Sequence, residues 1–133
     1  MDKLVVHGND GSISKGYSAD FSPGAPYFHL ATLQRPSDSE KVWLENQKAV
    51  FFVKDFSGDP TRIDGGGFRS TGRNGGTVVV TFKDGERMYG TAESIGGHRA
   101  GFFLYPVDPS SNTIKAYLVN RFISGVEIDP KTT

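Results

Sequence analysis

Short apolar runs alternate with turn residues along this chain, and the alternation repeats itself. Val5-Val6 followed by Asp10-Gly11 and Gly16 recurs as Val79-Val80, Asp84-Gly85 and Gly90, a constant offset of 74 residues (84 − 10). The offset continues through Phe28 and Phe102, Leu30 and Leu104, Lys41 and Lys115, Leu44 and Leu118, and Asn46 and Asn120, with Trp43 in step with Tyr117. Beyond that point a shift of two residues aligns Val50 and Phe52 with Val126 and Ile128. Self-similarity at a fixed period marks a duplicated structural unit. The pattern therefore predicts two copies of one unit.

Within each copy the period is that of strands. In the second, Thr77 to Lys83 is a β-branched run, and Asp84-Gly85 is a dipeptide that accepts the positive φ angles of a tight hairpin turn. A second strand runs from Glu86 to Ser94, where Gly90 predicts a bulge or bend. Gly101 to Tyr105, Ile114 to Val119 and Ser124 to Ile128 complete five strands, with a polar loop at Asp108 to Asn112. The first copy predicts strands near 3–8, 12–19, 26–31, 41–45 and 48–54, and neither copy contains a helix of ten residues.

The organisation that follows is a first β-barrel repeat at 1–56, a Gly-rich linker at 57–76 and a second repeat at 77–129. Seven of the twenty linker residues are glycine, so nothing there forms a core. A unit this small buries only about 60% of its unfolded surface, which predicts that the copies pack together. The run Ala49-Val50-Phe51-Phe52-Val53, apolar on both faces, asks for cover on both. A plainer alternative leaves one of its faces partly exposed.

Composition agrees with strands, since Val (11), Phe (10) and Tyr (5) outnumber Leu (6) and Ala (7). Fifteen basic and fifteen acidic side chains cancel, which argues against nucleic-acid binding by bulk electrostatics. No apolar run approaches the roughly 20 residues of a membrane span, and no signal peptide opens the chain. The absence of cysteine removes disulfides, a thiol nucleophile and cysteine zinc sites, and predicts the cytoplasm.

Candidate chemistry is sparse. Asp10 and Asp84 read as turn residues before glycine, not as an acid–base pair. His7, His29 and His98 lack a second ligand at metal-binding spacing. No nucleophile elbow or phosphate loop is present, so the expectation is a non-enzyme without a cofactor or metal. The remaining signal is aromatic side chains interleaved with cations. Phe103 and Tyr105 share one face of their strand, and Phe51, Trp43 and Tyr117 lie in the other aromatic-bearing strands. These five residues are a candidate interaction surface that stacks bases or binds a protein; packing between the two units is the other reading.

The order strand, Asp-Gly turn, bent strand with internal glycine, third strand, polar loop and two short strands resembles the Sm-like fold. Val78 to Gly85, Gly90 and Tyr117 to Ile128 carry the resemblance, and the closing stretch Leu118-Val119-Asn120-Arg121-Phe122-Ile123-Ser124-Gly125-Val126 is similar to the end of Hfq and related proteins. At the turn where those families grip RNA, this chain has Asn120-Arg121 and, in the first copy, Asn46-Gln47. A resemblance covering more of the chain lies in Lys15 to Phe21, Lys48 to Phe56, Phe82 to Glu86 and Gly101 to Pro106, which look like an uncharacterised bacterial domain found beside PilZ domains. That resemblance implies a setting in bacterial second-messenger signalling. PilZ domains bind cyclic di-GMP through Arg-x-x-x-Arg and a later Asp/Asn-x-Ser-x-x-Gly; here Arg69 and Arg73 have the first spacing, and Ala92 stands where the second needs Asp or Asn.

The sequence thus predicts an all-β protein of two tandem Sm/SH3-like barrels, a non-catalytic binding or adaptor module for a protein partner. Single-stranded RNA or DNA through Asn120 and Arg121, or a cyclic dinucleotide through Arg69 and Arg73, are the alternatives. Self-association of the chain is compatible with each.

Overall fold

A computed structural model of the chain describes residues 1–57, 77–93, 100–107 and 110–128. The first copy contributes β1 (Asp2–Gly8), β2 (Ile13–Ser18), β3 (Tyr27–Thr32), β4 (Ser39–Trp43) and β5 (Gln47–Val53). The second contributes β6 (Thr77–Phe82), β7 (Arg87–Glu93), β8 (Gly101–Tyr105), β9 (Thr113–Val119) and β10 (Ile123–Ile128). One turn of 3₁₀ helix, Leu44–Asn46 or Asn120–Phe122, precedes the last strand of each copy.

Local chemistry sets the hairpins. Gly11 and Gly85 both take positive φ (88° and 95°) after an aspartate, the backbone conformation that glycine adopts without a Cβ penalty. Asp10 Oδ1 accepts the Ser12 N–H at 2.9 Å, and Asp84 Oδ1 accepts that of Glu86 at 2.9 Å. Both aspartates are therefore turn residues. Gly16 and Gly90 answer a different need: a Cβ at either would press on the carbonyl oxygen of Ala31 or Tyr105 in the next strand. Close approach of strands, with φ outside the left-handed region, explains the glycine where the sequence suggested a bulge.

All pairings are antiparallel, in the order β10-β6-β7-β8-β9-β5-β1-β2-β3-β4. Each copy repeats one order, last strand first, yet ladder pairing closes neither into a barrel. The 3₁₀ turn after β4 carries the chain away from that strand, and β5 lies between β1 and β9 instead. The two copies are thereby joined through β5 and β9, with Val50 opposite Tyr117 and Phe51 opposite Ala116.

β5 is consequently buried on both faces. Ala49, Phe51 and Val53 enter a cluster with Val78, Val80 and Phe82 of the second copy, while Val50 and Phe52 join Leu4, Phe28 and Leu30 of the first. Tyr117 and Val119 of β9 return the exchange by entering the first copy's core. A polar link crosses the same joint: Lys48, whose side chain is only 13% exposed, donates through its ammonium to Asp84 at 2.7 Å and to Glu86.

Hydrogen bonds correct the alignment of the copies. Leu44 N–H donates to Pro26 C=O and Asn120 N–H to Ala100 C=O, so the offset is 74 for the acceptors (100 − 26) but 76 for the donors (120 − 44). The pair Asn9 N–H to Asn46 C=O and Lys83 N–H to Phe122 C=O gives the same result. The two-residue shift therefore precedes β4 and β9, because the chain before β9 is two residues longer. Trp43 matches Val119, not Tyr117; Lys41 matches Tyr117; and Asn120-Arg121 matches Leu44-Glu45.

Candidate interaction surface

β3 and β4 pair with Tyr27 opposite Trp43 and His29 opposite Lys41. Residues two apart on a strand, and residues directly opposite, share a face, so these four side chains stand together. Phe28 and Leu30 turn the other way into the core. The Tyr27 and Trp43 rings lie 5.2 Å apart, tilted by 56°, and Tyr27 meets His29 edge-on at 5.7 Å. The Lys41 ammonium sits 4.3 Å from the Tyr27 centroid and 5.4 Å from that of Trp43. Such cation–π contacts are worth about 0.5–1 kcal/mol at exposed sites, enough to orient the lysine along the sheet. Asp20 flanks the group: its carboxylate accepts from the His29 ring at 2.7 Å and from the His29 backbone at 2.9 Å. Those bonds, the ring's foremost, hold the Asp20 carboxyl below its ordinary range.

β4 ends the strand order, so one of its sides has no neighbouring strand among the described residues. Antiparallel pairing alternates the direction of backbone groups residue by residue. The bond from Leu44 N–H to Pro26 C=O turns Leu44, Val42 and Glu40 toward β3; Ser39, Lys41 and Trp43 therefore direct N–H and C=O outward. The Trp43 carbonyl opens the 3₁₀ turn that follows and also accepts from the Gln47 side chain at 3.1 Å, so at Trp43 the N–H is the group left for a partner. The ring platform and the open backbone edge thus belong to the same residues.

β9 occupies the corresponding place in the second copy and is covered by β5. Tyr117, the counterpart of Lys41, is 1% exposed, and Lys115 lies over Phe52 of the covering strand at 5.0 Å and over Phe103 at 4.6 Å. A lysine on this strand is therefore compatible with strand addition.

Of the residues singled out from sequence, only Trp43 reaches this surface, at 42% exposure. Phe51 is fully buried and Tyr117 nearly so, because the β5–β9 joint closes over them; neither offers a ring to a partner. Phe103 is half-buried against Tyr117 at 5.1 Å, and Tyr105 is half-buried on β8 opposite Thr91. Arg121 is exposed beside the Phe122 ring, and the Asn120 backbone bonds to Ala100. Arg69 and Arg73 lie outside the described residues. Tyr27, His29 and Lys41 carried no distinguishing signal in the sequence beyond the alternation Tyr27-Phe28-His29-Leu30.

Two clefts among the described residues compete with it: one of about 470 Å³ lined by Ile13, Lys15, Leu33, Arg35 and Glu40, and one of about 250 Å³ beside Lys48, Phe82 and Phe122, whose lysine is already engaged by Asp84 and Glu86. Among the described residues no three His, Cys, Asp or Glu side chains gather in a metal-binding group, and no helix is long and apolar enough to cross a membrane.

Compared with known proteins, residues 1–128 match a family of unknown function, DUF6982. No curated protein and no solved structure matches the chain.

Proposed function

Since the chain belongs to the DUF6982 family, which carries no activity to inherit, we propose from its own surface that it is a non-catalytic adaptor that binds an extended segment of a protein partner along β4. The carrying observation is the coincidence of outward backbone groups at Ser39, Lys41 and Trp43 with the Tyr27, Lys41 and Trp43 platform. Strand addition of this kind draws affinity from main-chain hydrogen bonds and selectivity from alternate side chains. We read each copy as a small Sm/SH3-like barrel opened at the seam between its fourth and fifth strands, a reading supported by the shared strand order. Bacterial cytoplasmic signalling, beside PilZ-type receptors, is the setting the sequence resemblance favours.

The test compares the full chain with its Lys41→Pro variant. Proline removes a donor that faces away from β3, so the β3–β4 ladder is retained. A protein from extract of the native host that is held by the first and lost by the second is the expected result; equal retention refutes the edge as the binding site.

A second reading is favoured by the lysine above two rings, an arrangement that suits stacked bases. It requires single-stranded oligonucleotides to quench Trp43 fluorescence at low salt, with affinity falling steeply as salt rises. A cyclic dinucleotide is the third: titration calorimetry with cyclic di-GMP should lose its heat in the Arg69→Ala, Arg73→Ala double variant if those residues bind it.

A further inference from the structure

The internal joint is a worked case of a strand docked on the fourth strand of a copy, and its register transfers to the free edge. In that joint Val50 faces Tyr117, Phe51 faces Ala116 and Phe52 faces Lys115. With the offset of 76 established by the paired hydrogen bonds, the acceptor positions become Lys41, Glu40 and Ser39 on β4. The same offset turns the docked strand into β10: Val126, Glu127 and Ile128. A second chain adding its β10 to β4 would therefore set Glu127 directly against Glu40. Both are exposed carboxylates, and like charges opposite one another in a ladder are destabilising.

On the other face, the strand that docks needs apolar side chains. There Val50 and Phe52 are buried against Tyr117 and Lys115 in the internal joint, and Trp43 and Lys41 offer rings and an aliphatic stem at the free one. Ile128, at 68% exposure, has that apolar character, so what sets β10 apart as a ligand is the charge at its centre.

Resting on the reading of β4 as a docking edge, we propose that its occupant is an extended segment of another protein, apolar at two alternate positions with a basic residue between them facing Glu40. Glu127 keeps a second chain off the same edge. An acidic residue placed on an otherwise open edge strand, against a matching acid on the strand that would pair with it, is a recognised way of preventing sheet-to-sheet growth.

Two synthetic peptides test this against the full chain, both spanning residues 47–54, one carrying Phe51→Lys and the other Phe51→Glu. Binding is followed by fluorescence of Trp43, the one tryptophan of the chain. The lysine peptide is expected to bind about tenfold more tightly than the glutamate peptide, the preference reversing in the Glu40→Lys protein. Equal binding of both peptides, or a preference untouched by Glu40→Lys, overturns the proposal. Sedimentation supplies an independent arm: the natural chain stays monomeric, Glu127→Lys associates, and Glu127→Lys with Glu40→Lys is monomeric again. Association of the natural chain through β10 also overturns it. If neither peptide binds yet a host protein is lost on Lys41→Pro, the proposal fails while the docking edge stands; if Lys41→Pro changes nothing, both fail.

Discussion

Phe51→Ala tests whether the two copies are one cooperative unit. Phe51 belongs to the first copy by sequence, yet its side chain is fully buried in the cluster built by Val78, Val80 and Phe82. Truncating a buried phenylalanine costs about 3–5 kcal/mol, against a total of about 7–20 kcal/mol for a chain of this length. With a urea dependence of about 2 kcal/mol per molar, the midpoint falls by roughly 2 M. Trp43 reports from β4, separated from β5 by three strands in the sheet order, whereas far-UV circular dichroism reports from all strands. One cooperative unit requires both signals to shift together by the same amount. If Trp43 keeps its midpoint while circular dichroism divides into two transitions, the copies unfold separately and the joint is not the stabilising feature described above.

Other consequences are equally direct. Residues 1–58 expressed alone leave the Ala49, Phe51 and Val53 face bare and should be poorly folded; a monomeric fragment that melts cooperatively would contradict this. Gly16→Ala should cost about 1–3 kcal/mol in chemical denaturation, because the new methyl group presses on Ala31 in a ladder that cannot yield; an unchanged midpoint refutes that geometry. Lys48→Met should cost at most about 1 kcal/mol at neutral pH, since Asp84 is more than half exposed and screened by water. The hydrogen bond from Lys48 holds the Asp84 carboxyl below its ordinary 3.8, so the pair stabilises the fold fully above that value and loses its effect as pH falls through the lowered one. Burial pulls the Lys48 ammonium down, but hydrogen bonds to Asp84 and Glu86 outweigh it and raise it above 10.5, placing the alkaline loss beyond that pH. The difference between the two proteins should therefore be flat around neutrality and shrink in acid, as denaturation across pH will show.

Strand positions were legible because they are local. The Asp-Gly turns, the alternation Tyr27-Phe28-His29-Leu30 and the doubly apolar Ala49 to Val53 each announce their own geometry, and the structure places turns at the first and strands at the other two. The partner of β5 was not legible, since β9 lies some sixty residues downstream and nothing in either strand states which edge it takes. The equation of Trp43 with Tyr117 failed for a related reason. Lys41 with Lys115 and Leu44 with Leu118 match in sequence at 74, but backbone pairing follows loop length, and two extra residues before β9 slide it along β8. Residue identity alone could not separate an exposed ring from a buried one. Topology does: a repeated sequence looks symmetric, whereas a strand order has two ends, and Trp43 lies at one of them while Tyr117 lies inside.

The exchange of strand faces between the copies also has a history in time. A ribosome adds about 5–20 residues each second, so β5 is made roughly 3–13 s before β9, the strand that covers it. Throughout that interval the nascent first copy carries Ala49 to Val53 without its cover, on a chain tethered near others of its kind. A strand buried on both faces in the finished protein is thus an uncovered apolar segment during synthesis, and chaperone dependence should therefore concentrate in the span between the two strands.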